Sequence, residues 1–404
     1  MAGKKKSKNS TRNNKKKKSG GASASSGQTS FAHGQTLQQD ASPLFNNIPQ
    51  EMRDKIYDQV FAYTRLSHGE KPLGRINSVK VKPAPHGLAL LRTCHRITDE
   101  IGDRWLRQVL FHFEDPLAML DKLTALPHRV ISQLRHVRVR AQSILLTWPD
   151  DDDDVHYTLH YGLKLIPGLK LDVLTVMGYM PGADVQYNTL NRLIRDSDGW
   201  KELRFLSSSS KLLGYEYKDY GFRGLTRDMR DLYLRKAQPA DWQSVLNLRD
   251  GAETLPSVAI YRSKRPGGRS SSKSSLMANP ANWEPFQQKD NIGNGRYGTV
   301  EDPNIMSTAD ERDKEVLVIA RRGKGVDYQE KKNSRYIEGD IRREAPGKSW
   351  KEIRKMCIDD LDDMYADEDD WPFSDEEDPE PTIPDSYAHV DDYEWTALDF
   401  DDMA

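Results

Sequence analysis

Apolar positions in this chain fall into a few periodic stretches separated by long polar tracts. Residues 49–63 read as a helix. Pro49 suits the first helical position, and Met52, Ile56 and Val60 fall on one face, which Tyr57 and Phe61 widen. A Gly/Pro-punctuated loop is expected over 66–87, and a second helix over 88–107 with an apolar stripe of Leu90, Leu91, Cys94, Ile97, Ile101 and Trp105. Residues 109–113 read as a strand. Asp115-Pro116 then opens a third helix, with a capping carboxylate followed by proline in the first turn, and Leu117, Leu120 and Leu123 supply its face.

One spacing then recurs. Leu134-x-x-Val137-x-Val139, Leu171-x-x-Leu174-x-Val176 and Trp200-x-x-Leu203-x-Phe205 share it, and successive copies start 37 and 29 residues apart. Helical patterns lie between them, at Leu159/Leu163/Ile166 and at Leu190/Leu193/Ile194. A strand and helix repeated at this period suggest a short leucine-rich-repeat-like stack. Three ordinary strands of an α/β domain give the same pattern. A helix at 241–249 with Asp241 as cap and a strand at 257–261 close the region. Residues 262–290 read as a Ser/Gly/Arg/Lys-rich linker. Residues 291–358 read as a small, partly ordered segment with a strand at 315–320 and a helix starting at Trp350.

Composition adds disordered ends to this picture. Only 36% of the 404 residues are apolar while 30% are charged, which is lean for a chain folded throughout. The net charge of −2 conceals an asymmetry. Residues 1–18 carry nine Lys/Arg and no acid, whereas residues 359–404 carry 20 Asp/Glu and no Lys or Arg. Residues 1–42 and 359–404 hold too little apolar surface to offset the entropy of ordering, so both are expected to be disordered. The two cysteines, Cys94 and Cys357, suggest no disulfide framework, and no run of 18 apolar residues predicts a membrane span. The expected location is intracellular, and the nucleus in particular.

The first two helices carry a recognisable pattern. Ile48-Pro49-Gln50-Glu51-Met52-Arg53-Asp54-Lys55-Ile56-Tyr57 resembles the L-P-x-E-[IL]-R-x-x-I-Y opening of a fungal F-box-like family. Leu90-Leu91-Arg92-Thr93-Cys94-His95-Arg96-Ile97-Thr98-Asp99-Glu100 resembles its partner motif, L-L-x-T-C-R-x-I-x-x-E. The gap between the halves is longer than in a standard F-box, and Ile97 stands where that motif often has Trp. The resemblance implies a protein-binding module. For members that assemble with cullin ligases it implies a ligase adaptor as partner and a substrate-recognition role. Partner-binding candidates are Ile48, Pro49, Met52, Ile56, Leu91, Cys94 and Ile97. Arg53 and Glu100 lie in the paired signature segments and are placed to form an ion pair.

Candidate chemistry elsewhere is thin. Gly293-Asn294-Gly295-Arg296-Tyr297-Gly298 matches a kinase glycine-rich loop, but Arg321-Arg322 follows the next strand in place of lysine, and no H-R-D or D-F-G comes after it. The five aspartates at 150–154 lack the glycine and distal glutamate of a calcium loop. His156 and His160 have the spacing of paired zinc ligands without the glutamate of H-E-x-x-H. No catalytic, cofactor-binding or metal-ligating residue is therefore assigned, and no enzyme activity is expected.

Basic clusters at Lys4, Lys5, Lys6 and at Lys15, Lys16, Lys17, Lys18 suit a bipartite nuclear-import signal or contact with nucleic-acid phosphates. Ser374, followed by Asp375-Glu376-Glu377, suits an acid-directed kinase. The expected fold is α/β (or α+β). It comprises a basic arm at 1–42, an F-box-like helix pair at 43–108, a repeat-like strand/helix stack at 109–261, the linker, the small segment at 291–358 and the acidic tail. The expected function is a non-enzymatic interaction protein. The alternative is a nuclear, nucleic-acid-associated or transcription-related protein acting through arm and tail.

Overall fold

The computed structural model describes residues 42–73, 77–80, 88–149, 154–178, 183–214, 237–266, 283–288 and 302–357. The lysine clusters, Ser374, the glycine loop at 293–298 and Asp150 to Asp153 lie outside the described residues. The chain divides into two units, residues 1–50 and 51–404. In the first, Pro43–Asn46 makes one helical turn, α1, with Pro43 at its start.

The second unit is mixed α/β and begins with most of α2 (Gln50–Ala62). Strand β1 (Arg65–His68) follows, then a hairpin of β2 (Glu70–Leu73) and β3 (Asn77–Lys80). These strands occupy part of the stretch expected to be loop. The second helix is broken in three: 3-10 turns at Ala89–Arg92 and Gly102–Arg107 flank α3 (His95–Ile101). Cys94 caps α3, its Sγ accepting from the Ile97 N–H at 3.5 Å, and Gly102 adopts φ +52° at the other end. Next come β4 (Leu110–Phe113) and α4 (Pro116–Leu123), whose cap Asp115 accepts from the Ala118 N–H at 2.6 Å.

The short helix α5 (His128–Ile131) leads to β5 (His136–Arg140), and a side hairpin of β6 (Ile144–Thr147) and β7 (Asp154–Tyr157) leads to α6 (Leu159–Leu163). Then follow β8 (Leu171–Gly178), α7 (Ala183–Asp196), β9 (Trp200–Ser207) and α8 (Ala240–Asp250). The chain closes with β10 (Ser257–Pro266), β11 (Trp283–Phe286), α9 (Pro303–Met306), α10 (Ala309–Arg312), β12 (Lys314–Arg321), α11 (Ile341–Glu344) and α12 (Trp350–Cys357).

Eight strands form one sheet in the order β1-β4-β5-β8-β9-β12-β10-β11. The first five run parallel in chain order; β12, β10 and β11 pair antiparallel. The three copies of the recurring spacing stand side by side. Val137, Leu174 and Leu203 are in register, as are Val139, Val176 and Phe205. All six are buried, as period-2 burial on one sheet face requires. Helices α4, α6, α7 and α8 form a row in which each touches the next. Trp200 and Trp242 are fully buried, and each indole N–H is satisfied, by Ser197 Oγ at 2.8 Å and Asn191 Oδ1 at 3.1 Å.

Two expectations need correction. Residues 262–290 hold the end of β10 and all of β11, so both ends of the expected linker are strand. Residues 291–358 are not a separate small segment, because β12 sits inside the main sheet between β9 and β10. Beyond β12 the chain forms a strap across the turns that precede β8 and β9. The Gly168 N–H donates to Glu330 O at 2.8 Å and the Gly199 N–H to Tyr328 O at 2.6 Å. Gly168 has φ +96°, a backbone conformation that residues with a Cβ rarely adopt, so glycine suits this turn. The strap ends with α12 on α4, where Trp350 Nε1 donates to Asp121 Oδ1 at 2.7 Å and Arg354 pairs with the same carboxylate.

The strap is tied to α8 by a buried ion pair. Arg322 (side chain 3% exposed) forks onto Asp250 (0%) at 2.8–2.9 Å, and the Gly323 N–H donates to the same carboxylate at 2.8 Å. Removing Asp250 leaves the buried Arg322, among the described residues, only its ion pair to Asp198 at 2.9 Å and orphans the Gly323 N–H. Asp250→Ala is expected to cost about 3 kcal/mol, read as a fall in the midpoint of chemical denaturation. A loss of about 0.5 kcal/mol or less would show that the strap is not held this way.

Candidate functional site

Helix α2 has two apolar faces, not one. Arg53, Tyr57 and Phe61, four residues apart, are buried and face the protein. Met52, Ile56 and Val60 lie on another face and are 50%, 43% and 42% exposed, and Tyr63 just beyond the helix is 65% exposed. The sequence reading had merged Tyr57 and Phe61 with this outer stripe. Among the described residues, these four make up half of the eight large hydrophobic side chains that stay exposed. Single exposed apolar residues need no explanation, but a stripe at helical spacing has the pattern that helix-in-groove contacts use.

The inner face is locked. Arg53 donates through Nε to Glu100 Oε2 at 2.9 Å and through Nη2 to Oε1 at 2.6 Å, and the Tyr57 hydroxyl donates to Oε2 at 3.2 Å. Arg53 and Glu100 side chains are 5% and 12% exposed. The pair expected from sequence therefore forms, and it is a two-pronged clamp between α2 and α3 rather than a loose surface contact. The Arg53 hydrogen bonds hold the Glu100 carboxyl below its ordinary range despite partial burial. Arg104 adds a contact to Asp54 at 2.7 Å. Rotation of α2 about its axis is thus blocked, which fixes the direction of the outer stripe.

The predicted partner-binding residues divide by exposure. Pro49, Met52 and Ile56 are exposed, and Ile48, Leu91 and Cys94 are half-buried. Ile97 is 5% exposed and belongs to the core with Ile101 and Trp105, so it is not available to a partner. Its periodicity matched the stripe because a helix packed on its own protein and one packed on a partner carry the same spacing.

Sequence reasoning missed a polar ladder on the sheet. Ser67, His112 and Arg138 stand in register on β1, β4 and β5, on the face opposite Leu66, Phe111 and Val137. Arg138 Nε donates to His112 Nδ1 at 2.9 Å, and His112 Nε2 lies 3.1 Å from Glu114 Oε1. Arg140 Nη2 meets Glu114 Oε2 at 2.9 Å. A guanidinium can donate to Nδ1 only if that nitrogen carries no proton, so His112 is neutral with its proton on Nε2. Burial, then the Arg138 charge, push its pKa down to about 4. Ser67, His112 and Glu114 look like a nucleophile, base and orienting carboxylate. Both His112 nitrogens are already engaged, so this imidazole cannot take a proton from Ser67. The signal was present in the alternation His112-x-Glu114 and Arg138-x-Arg140, polar at period 2.

His156 and His160 do not converge. His156 is exposed on β7, while His160 is buried in α6 with Nδ1 2.6 Å from Thr158 Oγ1. Burial drives His160 well below its ordinary pKa. Among the described residues no group of three or more His, Cys, Asp or Glu could hold a metal ion, and no helix is long and apolar enough to cross a membrane. Cys94 and Cys357 are free thiols. No protein-family model, curated protein or solved structure matches the chain.

Proposed function

We propose that this chain is a non-enzymatic interaction protein of the F-box-like kind, whose helix α2 docks a helical partner along Met52, Ile56, Val60 and Tyr63. The observation that carries the reading is that stripe: an apolar row at helical spacing, left in solvent on a helix clamped from behind by Arg53 and Glu100. A helix-in-groove contact uses anchors at this spacing. The in-register strands β5, β8 and β9 support a short leucine-rich-repeat-like stack, a scaffold suited to holding a second partner. The engaged nitrogens of His112 favour a binding role over hydrolysis.

A purified cullin-ligase adaptor subunit is the partner to test first, by biolayer interferometry on the full chain. Binding at about micromolar affinity or tighter is the expected result. No binding at concentrations up to about 100 μM excludes the ubiquitin-ligase version and leaves a scaffold with another helical partner.

A further inference from the structure

Strap residues 334–343 and the ends of α6 and α7 enclose a cleft of about 640 Å³, within the size range of small-ligand sites. Lys164, Arg192, Arg195 and Arg249 line it from the scaffold, and Arg335 and Arg343 line it from the strap. Asp196, Asp198 and Glu338 are its lining carboxylates. A second hollow of about 440 Å³ shares Arg335, Tyr336 and Arg343 and adds Lys332 and Arg342, with no lining carboxylate among the described residues.

Hydrogen bonding sorts these cations into two groups. The scaffold ones are anchored: Arg195 on Asp241 at 2.7 Å, Arg249 on Asp198 at 2.6 Å, Arg192 on Asp196 at 3.4 Å and Lys164 on Glu330 at 3.5 Å. Lys332, Arg335 and Arg343 are exposed and make no ion pair among the described residues. The guanidinium carbons of Arg342 and Arg343 lie 5.0 and 5.7 Å from the Tyr336 ring centre. Arg342 is anchored on Asp340 at 2.6 Å, which leaves Arg343 as the unanchored guanidinium over that ring.

We propose that this cleft binds a small ligand carrying two or more phosphate groups, with Arg335 and Arg343 as its forked donors over a floor of ion-paired scaffold cations. Planar guanidiniums match phosphate oxygens two at a time, which favours phosphate over a lone carboxylate. Among the described residues Tyr336 is the cleft's single lining aromatic, whereas binders of single strands stack successive bases on several.

The test titrates the full chain calorimetrically with sodium tripolyphosphate, and separately with a thymidine oligonucleotide, at about 0.15 M salt. Tripolyphosphate is expected to bind one per chain. Arg335→Ala with Arg343→Ala is expected to weaken it at least about tenfold, from the loss of charge-assisted bonds. Both side chains are exposed and make no ion pair among the described residues, so the thermal midpoint without ligand should move little, and Arg335→Gln alone gives a milder variant with the same readout. No binding of tripolyphosphate overturns the proposal, as does binding that the variants leave unchanged. Oligonucleotide binding that tripolyphosphate fails to displace also overturns it, in favour of a nucleic-acid surface.

Discussion

Acidifying the protein from pH 6.5 to 4 is expected to remove about 3 kcal/mol of folding stability through each of two histidines, His68 and His112. Both are held neutral by the fold. Burial is the larger cause in each case. Lys122 then lowers His68 further, and Arg138 lowers His112, bringing both to about 4. In the unfolded chain each titrates near 6.5. Between those values the unfolded state binds the proton and the folded state does not, so falling pH favours unfolding. The stability is fully present above pH 6.5, is lost progressively down to about 4 and changes little below that on this account. His160 and His136 are displaced in the same direction. Carboxylates held low by cations, such as Glu100 and Asp250, extend the loss to lower pH.

His68 makes the prediction separable. Its ring stacks on Phe113 with centroids 5.4 Å apart, and among the described residues its buried Nε2 has no hydrogen-bond partner. His68→Phe therefore removes a titrating group without removing a hydrogen bond at that atom. Urea titrations at pH 7, 6, 5 and 4.5 should show the variant losing about one proton's worth of slope, roughly 1.4 kcal/mol less per pH unit. At pH 7 its stability should match or exceed the parent's. An identical pH dependence in both proteins would mean that His68 is charged in the fold, contrary to its surroundings.

Local signals in the sequence carried much of the fold. Asp115-Pro116 announced α4 because capping and proline act within one turn. The three spaced apolar patterns announced β5, β8 and β9, because each strand buries the same face and records it at period 2. What escaped was non-local. The stretch 315–320 read as a strand, yet nothing in it said that β12 would lie antiparallel between β9 and β10. Partner choice in a sheet is written in both strands, and here they lie more than a hundred residues apart. The second helix was misread for the opposite reason. Its apolar stripe runs unbroken from Leu90 to Trp105, while the breaks come from single residues, Cys94 as a cap and Gly102 in a left-handed turn.

The same division applies to the candidate sites. Arg53 and Glu100 were legible as a pair, and their clamp forms. The direction of α2 was not legible, because its two faces are both apolar and the inner one includes a charged residue. The basic cleft was invisible, since Arg192 and Arg335 come together only through the strap.

Substituting Met52 and Ile56 by glutamate is expected to weaken capture of the partner proposed for α2 at least about a hundredfold while leaving the fold intact. Each apolar anchor buried in a groove is worth about 1.5–3 kcal/mol, and two such losses exceed a factor of a hundred. The introduced carboxylates would have to be desolvated without partners, which adds to the loss. Stability should change by about 0.5 kcal/mol or less, because the two side chains are 50% and 43% exposed and the clamp behind them is untouched. Leu248→Glu is the control: at 90% exposed on α8 it is the most open large hydrophobic among the described residues, and it lies off the stripe. It should leave capture unchanged. Glu100→Ala separates direction from contact. It spares every residue of the stripe but removes the carboxylate that Arg53 grips, so α2 loses the clamp that aims it. Reduced capture by Glu100→Ala with normal behaviour of Leu248→Glu would show that the stripe works because it is held. Wild-type affinity in the double glutamate variant would move the docking surface elsewhere on the protein.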